Sequence, residues 1–297
     1  MLAQLFIVIA LVQTPEATSL FGKPLIAVPP IGEQKIRLEA DLAKAQADYD
    51  RDPSNAEATI WLGRRLGYLS RFRDAIDVYS RGIQQHPNEA RLYRHRGHRY
   101  ITLRKFVLAV ADLRKASQLI AGKPDEIEPD GAPNKAGIPR STLQSNIWYH
   151  LGLAYYLQGD FTRALDAYRD GMKVSKVNDD MLVATSDWLY MTLRRLRRDG
   201  EARAVLDAIK EQMDVIENTA YHQRLLMYKG LRPPESILNL NTADDVQIAT
   251  QGYGVGNWYL VNGDRQKARE VFEKVNAGRA WPAFGLIAAE ADLKRGF

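Results

Sequence analysis

The sequence predicts an all-α protein, an α-solenoid of stacked antiparallel helix pairs. The first observation behind this is a helical hairpin between Ser145 and Ser175. Trp148, Leu151, Tyr155 and Leu157 recur two to four residues apart, Gln158-Gly159-Asp160 interrupts, and Phe161, Ala164, Tyr168 and Met172 stripe a second helix. The second is recurrence: a step of 34 residues carries Gly63 to Gly97, Phe72 to Phe106 and Ala75 to Ala109. The third is that both helices of a pair carry an apolar stripe. One pair cannot bury both stripes, so copies must stack.

Residues 1–19 read as an export signal or an N-terminal hydrophobic segment. Leu2–Val12 is apolar apart from Gln4, the length of a signal core and too short for a bilayer span, and Ala17-Thr18-Ser19 offers a cleavage region. No Lys or Arg precedes the run. Export to a periplasmic or secreted location is the expectation, and a cytoplasmic one if the run is not a signal. Residues 20–32, with Pro24, Pro29 and Pro30, read as a linker.

The solenoid is expected over 33–297. Ile36, Leu38, Leu42, Ala45 and Tyr49 give a leading amphipathic helix, and Asp52-Pro53-Ser54-Asn55 ends it and caps the next. Repeats are expected at about 56–89, 90–121, 145–178, 183–214 and 249–279. Gly97 and Gly152 lie 55 residues apart, one period and 21 residues more; the surplus is the Pro-, Gly- and Asp-rich insertion 122–142. In the fourth repeat Trp188, Leu189, Tyr190 and Leu193 mark one helix, and Ala202, Leu206 and Ile209 the other, with Gly200 near the turn. Val215–Met227 reads as an extra helix, and 281–295 as a terminal helix with one more polar face that caps the stack.

Trp148-x-x-Leu151-Gly152-x-x-Tyr155, followed by Ala164 and Tyr168, resembles the tetratricopeptide-repeat signature. Gly63, Ala75, Tyr79 and Pro87 match it, as do Gly97, Tyr100, Phe106, Ala109 and Ala116, and Gly256, Tyr259, Gly263, Ala268 and Phe272. The small residues let paired helices approach, and the aromatics fill the space between pairs. The ending from Trp281 to Leu293 is similar to that of exported bacterial tetratricopeptide proteins. The resemblance implies a superhelix whose concave face, lined by the first helix of each pair, binds a protein or peptide. The groove residues would be Ile60, Arg64, Arg94, His98, Tyr149, Leu153, Tyr253 and Asn257, with Asp187, Met191, Arg194 and Arg195 from the weaker repeat. Aromatic area and guanidinium groups suit a peptide of some acidic character. The family's Lys/Asn carboxylate clamp is not reproduced, because Asn is missing from the early repeats.

Other chemistry is poorly signalled. With 41 Lys+Arg against 36 Asp+Glu the chain is only mildly basic, so nucleic acid is not the expected partner, and an acidic polymer gripped by scattered groove arginines is the alternative. Without cysteine there is no thiol nucleophile or thiolate metal site. His95 and His98 read as surface or packing residues rather than metal ligands, and Asp125, Glu126, Glu128 and Asp130 as a solvated loop. Gly252–Gly256 looks like a phosphate loop but falls within a helix, where it serves close packing. The expectation is a non-catalytic scaffold without cofactor or metal, whose binding is lost when Arg94 and Tyr149 are changed to Ala.

Overall fold

The computed structural model describes residues 14–129, 131, 134, 136–239 and 243–297. Leu2–Val12 and Asp130 lie outside them. Among the described residues the helices are α1 (Gly32–Arg51), α2 (Ala56–Tyr68), α3 (Phe72–Gln85), α4 (Ala90–Thr102), α5 (Phe106–Leu119), α6 (Leu143–Leu157) and α7 (Phe161–Val174). They continue with α8 (Asp179–Arg195), α9 (Asp199–Val205), α10 (Thr219–Tyr228), α11 (Pro234–Ile237), α12 (Asp245–Val261), α13 (Arg265–Asn276) and α14 (Phe284–Arg295). α2–α3, α4–α5, α6–α7, α8–α9 and α12–α13 are antiparallel pairs stacked along the chain. Among the described residues no helix is long and apolar enough to cross a membrane.

The pairs close as the small residues require. A Cβ on Gly63 would sit 2.3 Å from the Tyr79 ring, one on Gly152 2.6 Å from Tyr168, and one on Gly256 2.5 Å from Phe272. The turn inside each pair is one device used five times. The second residue after the first helix takes a left-handed conformation, at Ser70 (φ 60°), Arg104 (62°), Gly159 (81°), Arg197 (59°) and Gly263 (95°). The next amide then reaches back to a carbonyl in the last turn: Arg71 to Leu66, Lys105 to Tyr100, Asp160 to Tyr155, Arg198 to Leu193 and Asp264 to Tyr259. Asp160 and Asp264 go on to cap the second helix by accepting from the amides of Arg163 and Lys267.

Three elements differ from the sequence expectation. The extra helix starts only at Thr219, because the amides of Ile216, Glu217 and Asn218 are bound to the buried Asp180 carboxylate instead of to a helix. Residues 17–18 and 24–25, expected in part as linker, pair as a short antiparallel hairpin, β1 (Ala17–Thr18) with β2 (Pro24–Leu25). The segment is tied to the chain's far end: Trp281 Nε1 donates to the Ile26 carbonyl at 2.7 Å, and the Leu20 amide donates to the Glu290 carboxylate.

The third difference decides where a site can be. α14 does not sit on the end of the stack with a solvated face. It packs against α12, α13 and, across the superhelix, α6, with Gly285–Asp292 all buried. Its small residues allow this. A Cβ on Gly285 would lie 1.9 Å from the Ala249 carbonyl oxygen, so the two backbones nearly touch. Its two acidic residues are paired in the interior: Glu290 accepts from Arg104 at 3.0 and 2.8 Å, and Asp292 accepts from Tyr253 at 2.9 Å and from Arg195.

Candidate functional site

α14 determines the fate of the residues expected to face a groove. Leu153, Met191, Tyr253 and Asn257 are fully buried. The Tyr253 hydroxyl donates to Tyr156 at 2.7 Å and its ring stacks on Trp188 and Phe272. Asn257 accepts from Arg195 Nε at 2.9 Å. Arg194 bonds Tyr190, the Val261 carbonyl and Asp199. Asp187 is sealed inside with Arg224, whose Nε donates at 3.0 Å; burial pushes the carboxyl up to about 6, and the guanidinium beside it opposes that rise. Gly254 makes room for this arginine, since a Cβ there would fall 2.1 Å from Arg224 Cδ. Ile60 is part of a separate core cluster with Leu62, Tyr79 and Leu92. The Tyr149 hydroxyl accepts from Trp188 Nε1 at 2.8 Å and pairs with Tyr221 at 2.7 Å. These side chains hold the protein together, and Tyr149→Ala would disturb the fold rather than report on binding.

The remaining three, Arg64, Arg94 and His98, converge. With Gly63, Gly67, Tyr68, Tyr79, His95 and Arg99 they line a cavity of about 140 Å³ on the inner face of α2 and α4. The helical period explains the convergence: Arg64 and Tyr68 are four apart on α2, and Arg94 and His98 four apart on α4. Gly67 admits Arg99, whose Nη1 would lie 3.0 Å from a Cβ there.

The charge in this cavity is one-sided. Among the described residues its lining holds three guanidinium groups and no carboxylate. The imidazoles do not add charge, because burial and the neighbouring arginines push His95 and His98 well below the usual histidine range. Arginine only donates, so His95 Nδ1, 3.0 Å from Arg94 Nη1, is an acceptor, and the ring proton sits on Nε2. By the same argument His98 Nε2 accepts from Arg99 Nη2 at 2.8 Å. Burial lowers Arg99 itself, and among the described residues no ion pair to it is seen; it lies over the Phe72 ring instead. Arg94 is only 9% exposed, and its Nε has no hydrogen-bond partner.

Among the described residues one carboxylate borders the cavity: Glu128, from the insertion, 3.0 Å from Arg94 Nη2 and 3.2 Å from His95 Nε2. Glu128 was expected in a solvated loop, yet it is 4% exposed. Sequence patterning missed it and Arg99. Nothing periodic marks the insertion, and Arg99 becomes meaningful only because Gly67 faces it. Among the described residues no group of three potential metal ligands is seen.

The tetratricopeptide-repeat family profile matches residues 145–178, the α6–α7 hairpin. A tetratricopeptide repeat protein from Parabacteroides merdae superposes with a TM-score of 0.51 at 13% identity, over 86% of this chain and 93% of that one. This chain has a tetratricopeptide fold. The tetratricopeptide protein YrrB, described as having an unusual peptide-binding site, is similar at a TM-score of 0.45 and 16% identity, over 78% of this chain and 90% of that one. MamA is similar at 0.45 and 14% identity, over 67% and 88%. No curated protein matches the sequence. In this tetratricopeptide fold the candidate site occupies the inner face of the first two pairs.

Proposed function

We propose that the protein is a non-catalytic interaction scaffold that takes an acidic peptide segment of a partner on the inner face of α2 and α4. One observation carries the reading. Among the described residues, Arg64, Arg94 and Arg99 share a cavity to whose lining no carboxylate contributes, and Arg99, lowered by burial, has no counter-ion. Arg99 is half-buried and holds only a neutral imidazole and a ring face, so an incoming carboxylate would supply the charge-assisted hydrogen bonds that it lacks. The half-buried Tyr68 beside it adds contact area. An acidic polymer finds less support, because Arg194 and Arg195 are occupied with Asp199 and Asp292. Export remains part of the proposal through the apolar run Leu2–Val12, which N-terminal sequencing of the mature protein tests.

Binding is tested by fluorescence anisotropy with labelled acidic, neutral and basic decapeptides. The expected result is saturable binding of the acidic set alone, weakened at least tenfold by Arg99→Gln with the circular dichroism unchanged. Equal binding of all three sets, or an Arg99→Gln protein that binds as well as the parent, overturns the reading.

A further inference from the structure

Residues 126–129 and 131 lie across the inner face of α2 and α4 in the manner of a bound peptide. Arg64 Nη2 donates to the Pro129 carbonyl at 2.6 Å, and Arg65 Nη1 to the Gly131 carbonyl at 2.8 Å. Just before them Glu128 turns inward to Arg94 and His95, and Asn146 on α6 donates to the same carboxylate. Gly131 sits so close to α2 that a Cβ there would fall 2.2 Å from the Tyr68 hydroxyl. Among the described residues the segment's outer side is tied to 141–143 by two amide bonds, Glu128 to the Ser141 carbonyl and Leu143 to the Glu126 carbonyl, both 2.9 Å.

The side-chain pattern is the reverse of what apolar burial selects. Ile127 points out at 61% exposure, while the neighbouring glutamate points in at 4%. Asp125, Glu126 and Pro129 are exposed as well. Main-chain carbonyls and one carboxylate therefore hold the segment against this face, and any acidic peptide can offer those same groups.

We infer that the segment of Glu126 to Pro129, with Gly131, is a tethered stand-in for the partner: the acidic segment of the partner binds this face by displacing Glu128 from Arg94 and His95. The inference rests on the proposed role of the α2–α4 face. A tethered competitor acts at millimolar effective concentration, so it lowers the apparent affinity for a free ligand by the fraction of time the face is vacant. Weakening the tethered contact must then raise affinity without adding any contact to the ligand.

The probe is a labelled peptide with the chain's own sequence from Lys123 to Gly131. Two variants loosen the segment by different means. Glu128→Gln removes the inward charge, and Gly131→Ala sets a methyl group against the Tyr68 hydroxyl, so that the ring or the segment must give way. Each should bind the probe at least tenfold more tightly than the parent, and Arg94→Gln added to Glu128→Gln should abolish the gain. Hydrogen exchange in the parent supplies a second readout: saturating probe should speed deuterium uptake at the Glu128 amide, which is bonded to Ser141. If the probe binds parent and both variants equally and uptake is unchanged, the displacement idea falls while the binding face stands. If an acidic probe binds none of the folded proteins, both fall.

Discussion

Gly285→Ala tests the arrangement on which the location of the site depends. In an unconstrained helix the change adds about 0.5–1 kcal/mol of stability. Here the new methyl group would begin 1.9 Å from the Ala249 carbonyl oxygen and 3.3 Å from the Tyr253 Cβ. An ordinary non-bonded separation is about 3.5 Å, so α14 must retreat from α12 by roughly 1.5 Å. Main chain on both sides leaves no flexible side-chain end to absorb the displacement. Overpacking of this kind costs about 1–3 kcal/mol. The retreat also stretches the Tyr253–Asp292 and Arg104–Glu290 hydrogen bonds. A net loss of about 2 kcal/mol, or roughly 5 °C in Tm for a chain of this size, is expected. Gly200→Ala is the matched control. It is also helical, has nothing within 4 Å of its Cβ, and should gain about 0.5 kcal/mol. Thermal melts followed by circular dichroism compare the two. If Gly285→Ala melts at or above the parent temperature, α14 does not approach α12 in this way, and the inner face of the later repeats is open.

Other measurements follow from the same contacts. Glu290→Ala leaves Arg104, 8% exposed, without its carboxylate and should cost about 3–5 kcal/mol in urea unfolding, whereas cutting an exposed pair such as Arg198–Glu201 should leave the urea midpoint nearly unchanged. Arg197 is exposed and held at φ 59°, so Arg197→Gly should raise stability by about 1 kcal/mol; Arg104→Gly, at φ 62°, should lower it because its side chain binds Glu290. Burial, reinforced by Arg94, lowers His150 from 6.5 to about 3. The unfolded chain takes up that proton first, so His150's contribution to stability is complete above pH 6.5 and is lost as pH falls toward 3. By pH 4.5 the loss from this residue is about 3 kcal/mol. His95 and His98 shift the same way. Proton NMR should show the His150 ring resonance flat from pH 7 to 5 in the folded protein; a midpoint near 6.5 would refute its burial as a neutral ring.

The repeats were legible in the sequence because their causes are local. Gly152 and Tyr168, or Gly63 and Tyr79, lie within one hairpin, and the 34-residue step exposes them by repetition. The concave face was legible as a set of positions but not as a surface, because whether a position stays open depends on residues far away in sequence. Glu290 and Asp292 read as the polar side of a capping helix. Their partners Arg104 and Arg195 lie 186 and 97 residues away, and nothing local signals that pairing. The fourth turn misled in a smaller way. Gly200 drew attention, but the left-handed residue is Arg197, because the turn's position is set by the end of α8 and not by the nearest glycine.

Burying α14 divides the superhelix into two regimes. Around α14 the buried charges of the described residues are matched within the chain: Arg224 has Asp187, Arg195 has Asp292, and Arg104, from the turn of the second pair, has Glu290. Evenly matched buried charge is stiff and specific, and it leaves nothing for a ligand to satisfy. At the cavity between α2 and α4 the matching stops. Among the described residues three arginines meet one glutamate there, and that glutamate comes from a segment that keeps an isoleucine in solvent to deliver it. The closed half gives the open half a rigid floor, since Phe284 at the start of α14 packs on both His98 and His150. A ligand at Arg94 and Arg99 therefore meets a surface that is already ordered and short of negative charge, which places the recognition task on the partner's carboxylates and not on any rearrangement of the repeats.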